Sequence, residues 1–403
     1  MSLFALDDRE ALRLASRGTP LFAYRLDLAR DAFRRLRAAL PPRVRLAYAI
    51  KANPHPALLA AFAPLGAWFD TASGGELERL DSLGVDGSRV LFAGPGKADD
   101  ELALALGMGA RIQADGLEDL GRLERSLEER GSPAPGGNGA GTRDDPLRVN
   151  LRVAPATGVS EGARIIGGTG ATAFGVDEEG LDAFMAEAAV FRRVRIAGLQ
   201  VFAASNELDS ERLLANHRVA LAIGEGMAKR HGIALELIDL GGGLGIPYAE
   251  GEGALDVEAL GRGLSLLLDE HAWFRGELVL EPGRYLAGPC GVYLARVLRV
   301  KESRGTHFAV LEGGINHLLR PLLTGQAFPA RAPGLAGPAL RQTLAGPLCT
   351  SLDRLGEVEL PELAPGDLVM LGRAGAYGFT EAMGAFLSHP TPEEIILDGP
   401  ASA

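Results

Sequence analysis

Apolar positions along the chain follow two alternating rhythms. Short runs of consecutive apolar residues are separated by longer stretches in which apolar residues recur every three or four positions. The runs read as strands at 44–50, 67–70, 89–93, 110–114, 147–153, 195–203, 235–240 and 277–281. The stretches read as helices around 56–63, 75–83, 99–106, 117–129, 178–191, 210–230 and 256–270. Regular alternation predicts a parallel sheet, and eight such units in roughly 250 residues predict a (β/α)8 barrel in preference to an open sheet. Beyond Glu281 the rhythm changes. "GVYLARVLRVKES", "HFAVLEGG", "RQTLAGPLC" and "GDLVMLGRAG" are strand-like runs with few helices between them.

The pattern divides the chain into an N-terminal segment, 1–24, expected to pack on the β-rich part, a barrel over 25–283 and a mostly-β domain over 284–403. The Gly- and Pro-rich "RGSPAPGGNGAGTRDDP", 130–146, reads as a flexible surface insertion.

Composition narrows the functional classes. The 403 residues are 47% hydrophobic and 23% charged, as in an ordinary globular protein. A formal net charge of -11, without clustered Lys/Arg, argues against nucleic acid or an anionic membrane as partner. Two cysteines, Cys290 and Cys349, make no disulfide framework, and "MSLFALDDRE" has neither the basic flank nor the apolar stretch of a secretory signal. No run is long enough to span a bilayer. A cytoplasmic protein is the expectation. No grouping of Cys, His and carboxylates suggests a metal site.

In a (β/α)8 barrel the chemistry sits at the C-terminal ends of the strands. The first strand ends on Lys51, the second on Asp70, the sixth near Ser205, the seventh on "GGGLG" (241–245) and the eighth on "EPGR" (281–284). Glycines without Cβ let backbone N–H groups turn toward an anion, and phosphates in this fold favour the loops after strands seven and eight. A partly desolvated lysine facing a phosphate pocket suits an amine whose pKa falls and which forms a Schiff base with an aldehyde cofactor. Pyridoxal phosphate answers both features. The bland alternatives are a salt-bridged lysine and a tight glycine turn.

Seven motifs in order, "YAIKAN", "FDTASGGEL", "GGGLG", "EPGR", "EGGINHLLRP", "GPLCTSLD" and "GAYG", resemble the fold-type III pyridoxal-phosphate decarboxylases that act on diaminopimelate, ornithine and arginine. The resemblance covers nearly the whole chain. It implies an alanine-racemase-like barrel with a β-rich second domain, and a homodimer with shared active sites. Lys51 is similar to the Schiff-base lysine, and Glu281 to the carboxylate that keeps the pyridine nitrogen protonated, where the family's racemases place an arginine. Asp70 resembles the acid beside the lysine. Gly241, Gly242, Gly243, Ser205, Arg284 and Tyr377 are similar to contacts of the phosphate and of the substrate carboxylate. Cys349 resembles a cysteine that reaches the neighbouring subunit's site as proton donor. Cys290 reads as a small buried residue, and Tyr48 as packing against the cofactor.

Four positions depart from that family's usual pattern, and they are expected on the substrate side. Thr350 stands where an acid usually follows the cysteine, Thr324 where a tyrosine is usual, Phe202 where a histidine usually stacks on the ring, and Glu312 where an aspartate is usual; Arg320 is kept. A distal ammonium without a counter-ion is disfavoured, whereas the arginine fork recognises carboxylates. The resemblance therefore implies a conjugated amino acid as substrate, such as a citryl-diaminopropionate siderophore intermediate. A glutamyl group tethered to a carrier protein and free diaminopimelate are the alternatives. A racemase or a non-catalytic cofactor-binding homologue stands further off, and release of CO2, as against loss of optical activity with the carboxylate retained, would separate decarboxylase from racemase.

Overall fold

The computed structural model describes residues 2–130, 136–156, 172–201 and 205–399. Helix Asp8–Ala15, capped by Asp7 and Glu10, leads into β1 (Leu21–Arg25). The barrel follows as β2 (Val44–Ala49), β3 (Trp68–Thr71), β4 (Val90–Phe92), β5 (Arg111–Ala114), β6 (Leu147–Ala154), the two-residue β7 (Val176–Asp177), β8 (Val194–Gln200), β9 (Leu237–Asp239) and β10 (Glu277–Leu280). Leaving aside β7, which pairs only with β6, these are the eight expected strands, all parallel. β5 pairs with β6 and β10 returns to β2, so the sheet has no edge at the seam. The strand expected at 195–203 is observed over Val194–Gln200.

Side chains alternate across each strand. Ala47, Leu91, Leu237 and Val279 form a small cluster of their own, with Trp68 against it, separate from the main core. Two residues further along the same strands stand Ala49, Asp239 and Glu281, so an apolar plug lies beneath a polar mouth. The other face packs the strands on the helices. Tyr48 belongs there: its ring lies 4.7 Å from Phe62 and its hydroxyl donates to the Asn53 carbonyl at 2.9 Å, which corrects the expectation that it packs on a cofactor.

The second domain is built from β11 (Gly291–Ser303), β12 (Thr306–Leu311), β13 (Ala330–Arg331), β14 (Ala339–Ala345), β15 (Arg354–Pro361), β16 (Leu368–Leu371) and β17 (Glu393–Leu397). β1 lies between β11, antiparallel, and β17, parallel. Leu21 and Ala23 of β1 and Leu14 of the first helix share a buried cluster with Val292, Leu294, Leu368 and Met370.

The 136–146 part of the segment expected to be a loose insertion is anchored. Asn138 is buried, donates to the Gly109 carbonyl (3.0 Å) and offers its own carbonyl to the Arg148 N–H (2.6 Å), closing the loop over the start of β5 and β6. Cys290 is fully buried, and burial pushes its thiol up to about 12, in keeping with an inert residue. No helix among the described residues is long and apolar enough to cross a membrane, and none of their His, Cys, Asp and Glu groups forms a metal cluster.

Candidate active site

Strand β2 gives way at Ala49 to a single turn, Ile50–Ala52, and this turn aims Lys51 across the barrel mouth. Its Nζ lies 3.2 Å from Oδ2 of Asp70, which β3 presents from the adjacent strand. The Lys51 side chain keeps 36% of its surface open to the cavity, whereas that of Asp70 keeps 2%. Burial alone would lower the lysine's pKa, but Asp70 and Glu281 outweigh it and hold the ammonium above its ordinary value. The expected depression of Lys51 is thereby corrected: the residues that desolvate it also carry the opposite charge. Burial, with Glu281 nearby, pushes the Asp70 carboxyl up to about 7 despite the lysine.

The floor of the mouth holds polar side chains brought from across the barrel. Gln200 Nε2 donates to Glu281 Oε1 at 2.9 Å, and Gln113 Nε2 donates to Asp239 Oδ2 at 2.8 Å. Asp239 Oδ1 accepts the Gly241 N–H at 2.9 Å, while burial and the neighbouring Glu281 raise its carboxyl well above the usual range. Gln200 and Asp239 are functional residues that sequence reasoning missed. For Asp239 the available signal was a polar residue two positions beyond the inward Leu237.

The loop after β9 passes very close to that after β10. Gly241 and Gly243 have φ of +69° and +93°, and a Cβ on Gly242 would stand 2.6 Å from the Glu281 carbonyl oxygen. We expect Gly242→Ala to part the two loops, lowering affinity for pyridoxal phosphate about tenfold or more and stability by about 1–3 kcal/mol. An absorbance titration with a thermal melt checks this; unchanged values in both would mean the loops are not a fixed cradle.

One cavity connects these groups; Lys51, Ser205, Gly242, Gly243, Glu281, Arg284, Arg320, Tyr377 and Glu381 are on its walls. The second domain reaches it through the Tyr377 N–H, which donates to the Ala52 carbonyl at 2.8 Å, and through Asn53 Nδ2, which donates to the Gly375 carbonyl at 3.0 Å. Tyr377 holds φ at +54°, a conformation unusual for a bulky residue and maintained by those bonds. Its ring lies 4.7 Å from the Arg284 guanidinium and 5.3 Å from that of Arg320, while Arg284 Nη1 donates to the Tyr248 hydroxyl at 2.7 Å. Glu381 faces Arg320 at 3.7 Å. Glu381 carries no sequence signal, because only the docking of the second domain brings it here, whereas Tyr248 belongs to the barrel's own loop after β9, three residues beyond Gly245.

Other expected residues lie elsewhere. Cys349 is exposed, and neither it nor Thr350 is on the cavity wall of its own chain. Their loop is pinned from beneath by buried Asp353, whose carboxylate accepts the N–H of Ile315 and of Leu348, each at 2.7 Å. Asp353→Ala leaves both amides unpaired, and we expect a loss of about 1–3 kcal/mol for each, read by urea denaturation. A loss under about 0.5 kcal/mol would mean the loop holds itself. Thr324 is also off the cavity wall; its hydroxyl donates to the Arg320 carbonyl at 3.0 Å. Glu312 is corrected outright: it accepts the Arg296 N–H at 2.8 Å within the β domain and takes no part in the cavity. Phe202 lies outside the described residues.

The cavity thus offers an amine, an N–H-rich glycine loop beside an arginine, and a buried carboxylate. Asp70 Oδ1 and Gln200 Oε1 are buried acceptors without partners. This set fits an aldehyde that carries both a phosphate and a basic ring nitrogen.

Comparison with known proteins points the same way. Residues 26–288 match the family described as pyridoxal-dependent decarboxylase, pyridoxal binding domain. The chain is 32% identical to the L-glutamyl-[BtrI acyl-carrier protein] decarboxylase of Niallia circulans, over 97% of this chain and 92% of that one. It is 33% identical to the diaminopimelate decarboxylase of Methanothermobacter thermautotrophicus, over 96% of this chain and 89% of that one. Among solved structures, the diaminopimelate decarboxylase of Helicobacter pylori complexed with L-lysine has a TM-score of 0.84 at 25% identity, covering 96% of this chain and 93% of that one.

Proposed function

The chain belongs to the pyridoxal-dependent decarboxylases, and on that premise we propose that it removes the α-carboxylate of an L-amino acid whose distal end is conjugated. Pyridoxal phosphate is the cofactor; when bound, it supplies an aldehyde for amines and a ring that takes up the electron pair left as CO2 departs. The observation that carries this reading is the meeting of Lys51, Asp70 and Glu281 where the first and last barrel strands close.

Each side chain then has a task. Lys51 would hold the cofactor through its amine, the aldehyde oxygen leaving as water, and Asp70 sits behind it as the acid that would receive or return the amine's proton. Glu281, oriented by Gln200, would hold a proton on the ring nitrogen. Gly241, Gly242 and Gly243 with Ser205 cradle the phosphate, beside Arg284 and Tyr377. Cys349 of a second copy would supply the proton to the carbon that loses CO2, which would make the active unit a homodimer with shared sites. Its setting is cytoplasmic.

The conjugated substrate is supported by Thr350, a hydroxyl where an acid would be needed to hold a distal ammonium. A citryl amide of diaminopropionate and a glutamyl group on a carrier protein both satisfy that condition, and the similarity to a glutamyl-carrier decarboxylase favours the second. Free diaminopimelate is the other reading, favoured by the diaminopimelate relatives. A CO2-release screen with carrier-tethered glutamate, citryl-diaminopropionate and free diaminopimelate tests this. We expect turnover of a conjugate; turnover of free diaminopimelate alone would overturn the substrate assignment, and turnover of none with racemisation of one would overturn the reaction.

A further inference from the structure

We propose that Glu381 is a specificity-determining residue, which occupies the Arg320 guanidinium and so turns the distal end of the cavity into a pocket for an uncharged acyl linkage. The proposal rests on the decarboxylase reading above and narrows its substrate.

Most of the charged groups on the cavity wall are already engaged. Lys51 is met by Asp70 and Glu281. Arg284 bonds the Tyr248 hydroxyl. That leaves Arg320, whose ion-pair partner among the described residues is Glu381, in the short turn Phe379–Glu381. Their separation of 3.7 Å exceeds a hydrogen bond, and Glu381 Oε2 and Arg320 Nε are both buried without a hydrogen-bond partner. Water has little access to either charge, since the two side chains keep 6% and 21% of their surface. Burial raises the Glu381 carboxyl even against Arg320 and Arg284, as a long, incompletely bonded pair should.

Three distal groups fare differently here. A free carboxylate must displace Glu381 from Arg320, leaving a buried anion unpaired. An ammonium meets Arg320 and Arg284 together, with one acid between them. A carbonyl oxygen of an ester, thioester or amide accepts a guanidinium N–H while Glu381 stays in place. Specificity arises from the group that is repelled as much as from the one that is welcomed. Thr350 leaves out one acid of the usual pattern, and the acid this cavity does hold at its distal end, Glu381, faces an arginine.

The test uses the cofactor-loaded protein and its Glu381→Gln variant, which keeps shape and loses charge. The substrates are L-glutamate, its γ-methyl ester and meso-diaminopimelate. Glutarate, an unreactive dicarboxylate, is the binding probe, followed by calorimetry. In the native protein the ester should exceed the free acid in kcat/KM by about tenfold or more. In E381Q the free acid should gain about tenfold through KM with kcat little changed, and glutarate should bind about tenfold more tightly. Unchanged glutarate affinity, or a loss of activity confined to diaminopimelate, would overturn the proposal, the latter because Glu381 would then be an ammonium's counter-ion. Because glutarate binding needs no turnover, failure of the decarboxylase reading and failure of this one give different results.

Discussion

Replacing Lys51 by alanine should reduce decarboxylation by at least about 10³-fold and abolish the visible absorbance of the lysine-bound cofactor. Covalent and proton-transfer contributions of one positioned group are worth about 10²–10⁴ each, and Lys51 is placed for both. The variant should also reveal what the lysine does before any cofactor binds. Its ammonium is the cation that Asp70 meets at 3.2 Å, and Glu281 lies close enough to raise its pKa. Without it two buried carboxylates face one another and Asp70 loses the cation that lowers its pKa, so the cofactor-free K51A protein should melt below its parent, and more so as the pH rises from the ordinary carboxyl range to beyond the value of about 7 that Asp70 has beside the lysine. The sign follows from linkage: an acid with a raised folded-state pKa holds its proton longer folded than unfolded, so stability falls as pH rises. CO2 release, absorbance and melting across pH 5.5–8.5 read these effects. Retention of more than about a tenth of the activity would remove Lys51 from the chemistry.

Glu281→Gln should cost about 10²–10³ in kcat with little change in KM. The glutamine keeps the volume and a hydrogen-bonding contact with Gln200, so the change is one of charge. A carboxylate in a dry site stabilises a neighbouring proton far more than an amide does, and preorganised groups of this kind are typically worth two to three orders of magnitude. The distinguishing sign is in the cofactor's spectrum as much as in rate. If the ring nitrogen depends on Glu281 for its proton, the variant's absorbance should shift while binding persists. A variant with native kcat would mean that another acid, with buried Asp239 the nearest candidate, holds the proton instead.

The barrel was legible because each of its strands is short and apolar while the helices between them are amphipathic, so the two periods separate cleanly. Lys51, Glu281 and the glycine loop were legible because chain order in a closed parallel barrel places every strand end on one rim. The second domain was harder to read. β15 alternates exposed and buried positions around charged residues, and β13 has two residues, so neither leaves a hydrophobic run. β1 looks like a detached prefix until its partners, hundreds of residues away, are known. Glu381 owes its place to the docking of one domain on the other, and no local pattern encodes that. Tyr48 and Glu312 show the converse error: each lies within or beside a functional motif, yet the strand's alternation turns the first away from the mouth and the second binds its own sheet.

The placement of β1 has a consequence for how the protein is made. The strand leaves the ribosome early, but the residues it pairs with in β11 follow roughly 270 positions later, and at about 5–20 residues per second the wait lasts roughly 13–54 s. β17 arrives later still. During that interval every strand of the barrel has been synthesised, and the barrel is free to close while β1 still presents two unpaired edges. The first strand of the polypeptide is thus among the last to be housed, and the nascent chain carries an adhesive N-terminus through most of its own synthesis.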